Sequence, residues 1–320
     1  MSASIQNTAY TSASIYRRIH IKKRIHKIAK HWQLYVLILP AVVAVFLFHY
    51  IPIYGVQIAF RNYNPMHGFF GSEWVGFQHF IRFFQFPDFW KIIGNTLGIS
   101  LYSLATFPCS VILALMINEV GNNKYKRYVQ MISYAPHFVS TVVICSMILL
   151  FTQYDGGLFN NLRMMLGLKK MDFITVPDYF PSIYVWSGVW QNIGWGTIIY
   201  LAALSNISPE LIEAAKIDGA GRLRIITDIS FPAILPTVVT MLILSAGQVL
   251  SVGFEKIFLL QNPLNLDASR VISTYVYEIG IQGSQFSYST AIGLFNNVVN
   301  IIVIILVNNI SKKITSIGLW

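Results

Sequence analysis

The segment Ser208-Pro209-Glu210-Leu211-Ile212-Glu213-Ala214-Ala215-Lys216-Ile217-Asp218-Gly219-Ala220-Gly221 runs on through Arg222 and Ser230 into Phe231-Pro232-Ala233-Ile234-Leu235-Pro236. Ser208 suits a helix N-cap and Pro209 its first turn. Glu210 and Glu213 sit where a helix dipole favours negative charge. Gly219 and Gly221 let the chain turn where a side chain would hinder it. A second short helix is predicted from Arg222 to about Ile229, with Pro232 and Pro236 leading onward. The segment thus reads as a polar helix–turn–helix, either a docking element or a connector.

Its surroundings decide what kind of protein carries it. The loop lies between two apolar runs, 180–204 and 234–252, and four more occupy 33–53, 97–117, 131–151 and 289–309. Each is long enough to cross a hydrocarbon core of about 30 Å, which takes roughly 20 residues. In lipid each must be helical, because every backbone N–H and C=O needs an internal partner. Pro40, Pro108 and Pro236 fall in or at the ends of these runs, where neighbouring helices can satisfy the freed carbonyls. Composition agrees: 55% of the 320 residues are hydrophobic and 11% charged, against about 25% charged in soluble chains. The mean hydropathy is +0.56. A cytosolic enzyme, a disordered chain and a disulfide scaffold are excluded. The expected fold is all-α, a polytopic membrane protein with six transmembrane helices.

Charge orients the chain. Of 23 Lys and Arg, fifteen fall in the N-terminal tail, the loops after runs two and four, and the C-terminal tail; five of the 13 acids join them. That side carries the entire net charge of +10 and the other side is neutral. The positive-inside rule makes the charged side cytoplasmic, with both termini inside. A basic chain can signal nucleic acid, but topology and anionic lipid account for this charge, and no nucleic-acid partner is expected. Residues 16–32 place Ile21, Ile25, Ile28 and Trp32 on one helical face among Lys and Arg. They read as a helix lying on the inner membrane surface or as a solvated basic tail. The apolar run that follows is longer than a signal-peptide core. The outward loops are rich in aromatics, such as Phe69, Phe70 and Trp74, which suits the lipid interface or an external partner.

Motifs for chemistry are missing. There is no G-x-x-x-x-G-K-[S/T], no G-x-G-x-x-G, and no metal spacing among the seven His. Cys109 and Cys145 both lie inside apolar runs and read as small apolar fillers. No catalytic residue, metal ligand or cofactor is assigned to this chain. None of the charged residues falls within the six runs, which argues against proton coupling through buried carboxylates. Sodium coupling through carbonyls and hydroxyls stays open; otherwise the energy source lies in another chain.

The central loop carries a resemblance. Glu213-Ala214-Ala215, Asp218-Gly219-Ala220, Ile229, Pro232 and Pro236 resemble, in residues, spacing and cytoplasmic placement, the EAA loop of binding-protein-dependent ABC importer permeases. Further stretches narrow the group: Pro52-Ile53-Tyr54-Gly55, Ala59-Phe60-Arg61-Asn62-Tyr63-Asn64-Pro65, Val75-Gly76-Phe77, Asn95-Thr96-Leu97, Pro136-His137-Phe138 and Gly253-Phe254-Glu255. They look like the polysaccharide and complex-oligosaccharide permeases of the maltose-type sugar importers. The resemblance runs from about Leu34 to the C-terminus, with one departure at Ile226, where many members carry Phe.

The resemblance implies a type I ABC importer transmembrane domain in a bacterial plasma membrane. It implies a division into 1–32, a cytoplasmic basic segment; 33–96, the first transmembrane helix and an external loop; 97–310, the permease core with the coupling loop at 208–236; and 311–320, a cytoplasmic tail. It implies a second homologous permease, two ABC ATPase subunits that bind ATP and Mg, an external solute-binding protein and a sugar substrate. Glu213, Ala214, Ala215, Asp218, Gly219, Ala220, Ile226, Ile229 and Pro232 would couple to the ATPases. Two other functions stand beside this one: a same-class permease for glycerol phosphate or a similar solute, and a stand-alone secondary transporter.

Sugars are held by aromatic faces and by amide or hydroxyl partners. The candidates in run four are Trp186, Trp190, Gln191, Asn192 and Trp195, with Tyr200 beyond them; run five ends near Gln248 and Ser251; run six carries Asn296, Asn297 and Asn300. Trp186, Trp190 and Trp195 are candidates to line one face by helical spacing. Each has an alternative role, since Trp often anchors at the interface and Asn often bonds a neighbouring helix.

Overall fold

In the computed structural model, residues 30–320 are described. The surface-helix reading of 16–32 therefore falls, but for its last residues, outside the described residues. The chain separates into two compact units, Met1–Gln57 and Ile58–Trp320.

In the first unit, α1 begins at Trp32 and is one apolar rod that ends at Phe60, just inside the second. Its side chains are exposed throughout the spanning window, as expected of a helix solvated by lipid. Pro52 lacks an N–H for the helical ladder. The helix absorbs this with a wide turn at Phe46–Tyr50, where Ile51 N–H reaches back five residues to the Phe46 carbonyl.

The second unit is a helical bundle with a single two-stranded ribbon. Arg61–Asn62 pairs antiparallel with Glu73–Trp74, and Phe60 stacks on Trp74 at 5.6 Å. After α2 (Gln78–Phe84), the second apolar run becomes α3 (Phe89–Ala105) and α4 (Pro108–Asn118), joined through a tight turn. The fourth run is α8, Phe180–Leu204, at the predicted boundaries. Its 25 residues span about 37 Å. The last run lies in α13, Phe286–Thr315.

Two runs depart from expectation. The third, predicted as one rod over 131–151, is sharply bent. α5 (Asn123–Tyr134) and its terminal turn Ala135–Phe138 meet α6 (Thr141–Thr152) at 97°, and the short α7 (Leu158–Met165) follows. Pro136 tightens the turn, Val139 is extended, and Ser140 restarts the helix by accepting from Val143 N–H. Gln191 Nε2 on α8 donates to the Val139 carbonyl left free at the bend. The second departure follows the central loop. The predicted helix from Arg222 does not end near Ile229; it continues as α10, Arg222–Ala246, a single helix of 25 residues. Pro232 is accommodated as Pro52 is: Phe231 N–H bonds the Ile226 carbonyl across a wide turn.

Three buried clusters hold the unit. Phe83, Ile92, Ile272 and Tyr288 join α2, α3, α12 (Ile272–Tyr277) and α13. Ile99, Cys145, Phe180 and Ile257 join α3, α6, α8 and α11 (Phe254–Leu260). Val111, Ala114, Tyr200 and Ile234 join α4, α8 and α10. Asn95 donates to the Asp267 and Arg270 carbonyls, and Thr96 Oγ1 accepts from Ile272 N–H, so α3 pins the 267–272 turn.

α8 is the central helix, packed on α4, α5 and α10. Gly194 permits the approach of α5: a Cβ there would stand 2.1 Å from the Ser133 carbonyl oxygen. Gly194→Ala is expected to destabilise the unit by about 1–3 kcal/mol, the cost of forced overpacking. Thermal unfolding in detergent measures it, with Gly98→Ala, where nothing lies within 4 Å, as the control.

Candidate functional site

The central loop folds as a closed corner. α9, Pro209–Ile217, starts at Ser208, whose hydroxyl makes no capping bond, and places Glu210 in its first turn. It ends in a left-handed residue, Gly219, at φ +79°. Ala220 N–H bonds the Ala215 carbonyl at 2.9 Å and Gly219 N–H bonds Lys216 at 3.1 Å. This nested pair is the glycine-terminated Schellman arrangement. Gly221, expected to share the turn, has φ −73° and simply opens α10. Glu213, Ala214, Asp218, Gly219 and Pro232 are exposed, while Ala215, Ala220, Ile226 and Ile229 are half-buried. α9 leaves the line of α8 at 81°. The corner therefore presents one carboxylate-bearing helix side-on, beyond the end of the bundle. Near it, Arg224 pairs with Asp228 at 3.4 Å.

At the other end of the spans several charges are paired. Lys91 binds Asp267, Lys170 binds Asp155, and Arg270 binds Glu278 and Asp88.

Between these ends a cavity of about 590 Å³ opens among α3, α4, α8, α10 and the start of α11. That is within the roughly 300–1,000 Å³ of small-ligand sites. Ser100, Ser103, Ser110, Gln191, Asn192, Ser245, Gln248 and Ser251 contribute polar groups, with Tyr184 and Tyr200 as aromatic walls. Gln191 and Asn192 are partly engaged, Gln191 at the Val139 carbonyl and Asn192 with His137 Nδ1 at 2.9 Å.

One lining residue belongs, by its place in the sequence, to the neutral side of the chain. Lys256, in the connection between spans, folds inward on α11 and is only 8% exposed. Its Nζ donates to the Tyr184 carbonyl at 3.1 Å and lies 5.1 Å from the Tyr184 ring. Burial draws its pKa down to about 8, so it is still mostly charged at neutral pH. Hydropathy missed it because the residue stands four positions past the fifth run; the adjoining Gly253-Phe254-Glu255 was the available signal.

The other candidates go elsewhere. Trp186 and Trp190 line a second pocket, of about 810 Å³, with Ile144, Met147, Phe151 and Leu162. Its walls are almost wholly apolar, a setting for hydrocarbon rather than for sugar hydroxyls. Trp186 Nε1 bonds Tyr102 OH at 2.8 Å. Trp195 stacks on His137 at 4.4 Å. Asn300 is spent on structure, accepting from Leu250 N–H and donating to Ser251 Oγ. Asn296 Oδ1 is buried without a partner among the described residues, and Asn297 is exposed on α13.

Known proteins resemble this chain in sequence and fold. Residues 106–316 match the family described as binding-protein-dependent transport system inner membrane component. The polygalacturonan/rhamnogalacturonan transport system permease protein YteP of Bacillus subtilis (strain 168) is 41% identical over 96% of both chains. Protein LplB of the same organism is 44% identical over 90% of this chain and 91% of its own. In the crystal structure of a bacterial alginate ABC transporter in complex with an alginate pentasaccharide-bound periplasmic protein, one chain superposes with a TM-score of 0.83. It is 39% identical, covering 92% of this chain and 98% of that one. The fold is thus that of a type I ABC transporter permease, and the matched residues run from the cavity wall at Thr106 through the Gly219 corner to the end of α13. On that ground the chain belongs to the binding-protein-dependent transport system inner membrane components.

Proposed function

We propose that this chain is the membrane-spanning subunit of an ATP-driven importer that moves oligosaccharides or polysaccharide fragments across a bacterial plasma membrane. The observation that supports this most is the fit of nearly the whole chain, at 39% identity, to a chain of a transporter crystallised with an oligosaccharide-loaded periplasmic protein. The chain works with a second, homologous permease. Two ABC ATPase subunits bind ATP and Mg and dock on the corner at Gly219, and an external solute-binding protein delivers the sugar. Glu213 makes a charge-assisted contact with the ATPase, the half-buried Ala215 sets how closely that partner packs, and Gly219 orients the corner. Ile226 and Ile229 offer apolar contacts beside it. The cavity holds the sugar in passage through serine hydroxyls and the Gln191, Asn192 and Gln248 amides. ATP-driven closure of the ATPase pair pushes the corner, and α10 carries the displacement to Ser245 in the cavity wall. The decisive experiment is reconstitution of uptake, with and without each partner.

Both termini are cytoplasmic in this reading. A cysteine placed at Ser311, in a chain with Cys109 and Cys145 replaced, is expected to resist an impermeant thiol reagent in intact cells and to react after lysis. Labelling without lysis would reverse the orientation.

A further inference from the structure

We propose that Lys256 makes this permease selective for acidic oligosaccharides, by receiving the carboxylate of a uronate unit inside the cavity. The inference deepens the importer reading and rests on it.

Among the described residues, Lys256 is the only charged one lining the cavity, and no Asp or Glu lines it. It forms no ion pair among the described residues. Burying a cation without a counter-charge is costly, by several kcal/mol even after relaxation. One carbonyl, that of Tyr184, and the face of the Tyr184 ring compensate it in part. The lowered pKa expresses the same deficit. Its open side is the cavity itself, of which it is a lining residue; Gly188 stands on the flank, where a Cβ would be in ordinary contact at 3.5 Å from Nζ. An ammonium has three donors, and one is used. A carboxylate entering the cavity supplies the missing charge and accepts the remaining donors, so it gains an interaction that a neutral sugar cannot make.

The rest of the lining says what should carry that carboxylate. Neutral hydroxyls and amides such as Ser103, Gln191 and Gln248 match sugar hydroxyls. A phosphate dianion favours several cations and bidentate Arg, and the cavity has one Lys. The chemistry is that of a single carboxylate on a polyhydroxylated ring.

The test uses the complete permease–ATPase complex in nanodiscs, without the solute-binding protein, so that selectivity belongs to the membrane part. Binding of trigalacturonate is compared with that of its carboxyl-reduced counterpart, and glycerol 3-phosphate is the competitor. The intact complex is expected to prefer the acidic trisaccharide at least tenfold. Lys256→Gln should abolish the preference by losing at least tenfold in affinity for the acidic trisaccharide and far less for the neutral one, with an unchanged thermal unfolding profile of the complex showing that the variant is folded. Lys256→Arg should keep most of the preference. An intact complex without preference, a Lys256→Gln complex that retains it, a variant that loses both sugars alike, or displacement by glycerol 3-phosphate as effective as by the acidic sugar would each overturn the proposal. Uptake of both trisaccharides alike by the full system would overturn the Lys256 assignment and leave the importer standing. Uptake of neither, with no ATP dependence for any oligosaccharide, would overturn the importer reading itself.

Discussion

Gly219→Val is expected to lower ATP-driven uptake at least tenfold and to release the ATPase subunits during purification, while the chain still inserts into the membrane. The residue sits at φ +79°, and nothing lies within 4 Å of where a Cβ would be. Crowding by neighbours is therefore not the cause; the backbone is. An L-residue in the left-handed region costs about 1–2 kcal/mol, and a β-branched one fits it worst. The cheapest escape is to rotate out, which breaks the bonds from Ala220 to Ala215 and from Gly219 to Lys216 and swings α9 away from α10. A graded series makes the result specific. Gly219→Asn, which tolerates the left-handed region, should retain most activity; Gly219→Ala should be intermediate. Glu213→Ala and Ala215→Trp should lower association without altering the turn, and none should change sugar capture by the external binding protein. Normal association and uptake in inserted Gly219→Val, Glu213→Ala and Ala215→Trp would reduce the corner to a connector.

Reconstitution should give an all-or-none result. Proteoliposomes holding this chain alone are expected to show no oligosaccharide uptake above leak, with or without a proton or sodium gradient. Uptake should appear when the partner permease, the ATPase subunits, the binding protein and MgATP are all supplied. The chain has no phosphate-cradling loop, and its cavity wall contains one cation and no carboxylate, leaving no acid relay for protons. Gradient-driven uptake by the chain alone would place it among secondary transporters.

The parts legible in the sequence were those governed by local physics. α8 could be read to its end residues because a long apolar run is bounded by Pro181 on one side and the polar Ser205-Asn206 on the other. The turn at Gly219 was legible because left-handed backbone has a residue preference of its own. Hydropathy did not reveal the 97° bend within 131–151, since the apolar run passes through it unbroken; only Pro136 and Ser140 mark the place. Of the three tryptophans that spacing offered for one face, Trp186 and Trp190 share a pocket and Trp195 does not; spacing carries no information on what a face meets, and that pocket is apolar. Lys256 escaped notice for a related reason. A window that scores hydropathy sees where a span ends and cannot see a following helix tuck back against Tyr184.

The continuity of α10 sets a mechanical ratio. Its first residues form one arm of the corner, and Met241 and Ser245, near its far end, stand in the cavity wall. A rod of this length, about 37 Å, pivoting near one end by about 5° sweeps its other end through roughly 3 Å, enough to make or lose a hydrogen bond. The five-residue turn at Ile226–Ser230 carries the helix across Pro232 without a break. In the importer reading proposed above, a free hinge there would dissipate the stroke of nucleotide closure as backlash, whereas an unbroken lever would deliver it, geared, to the sugar.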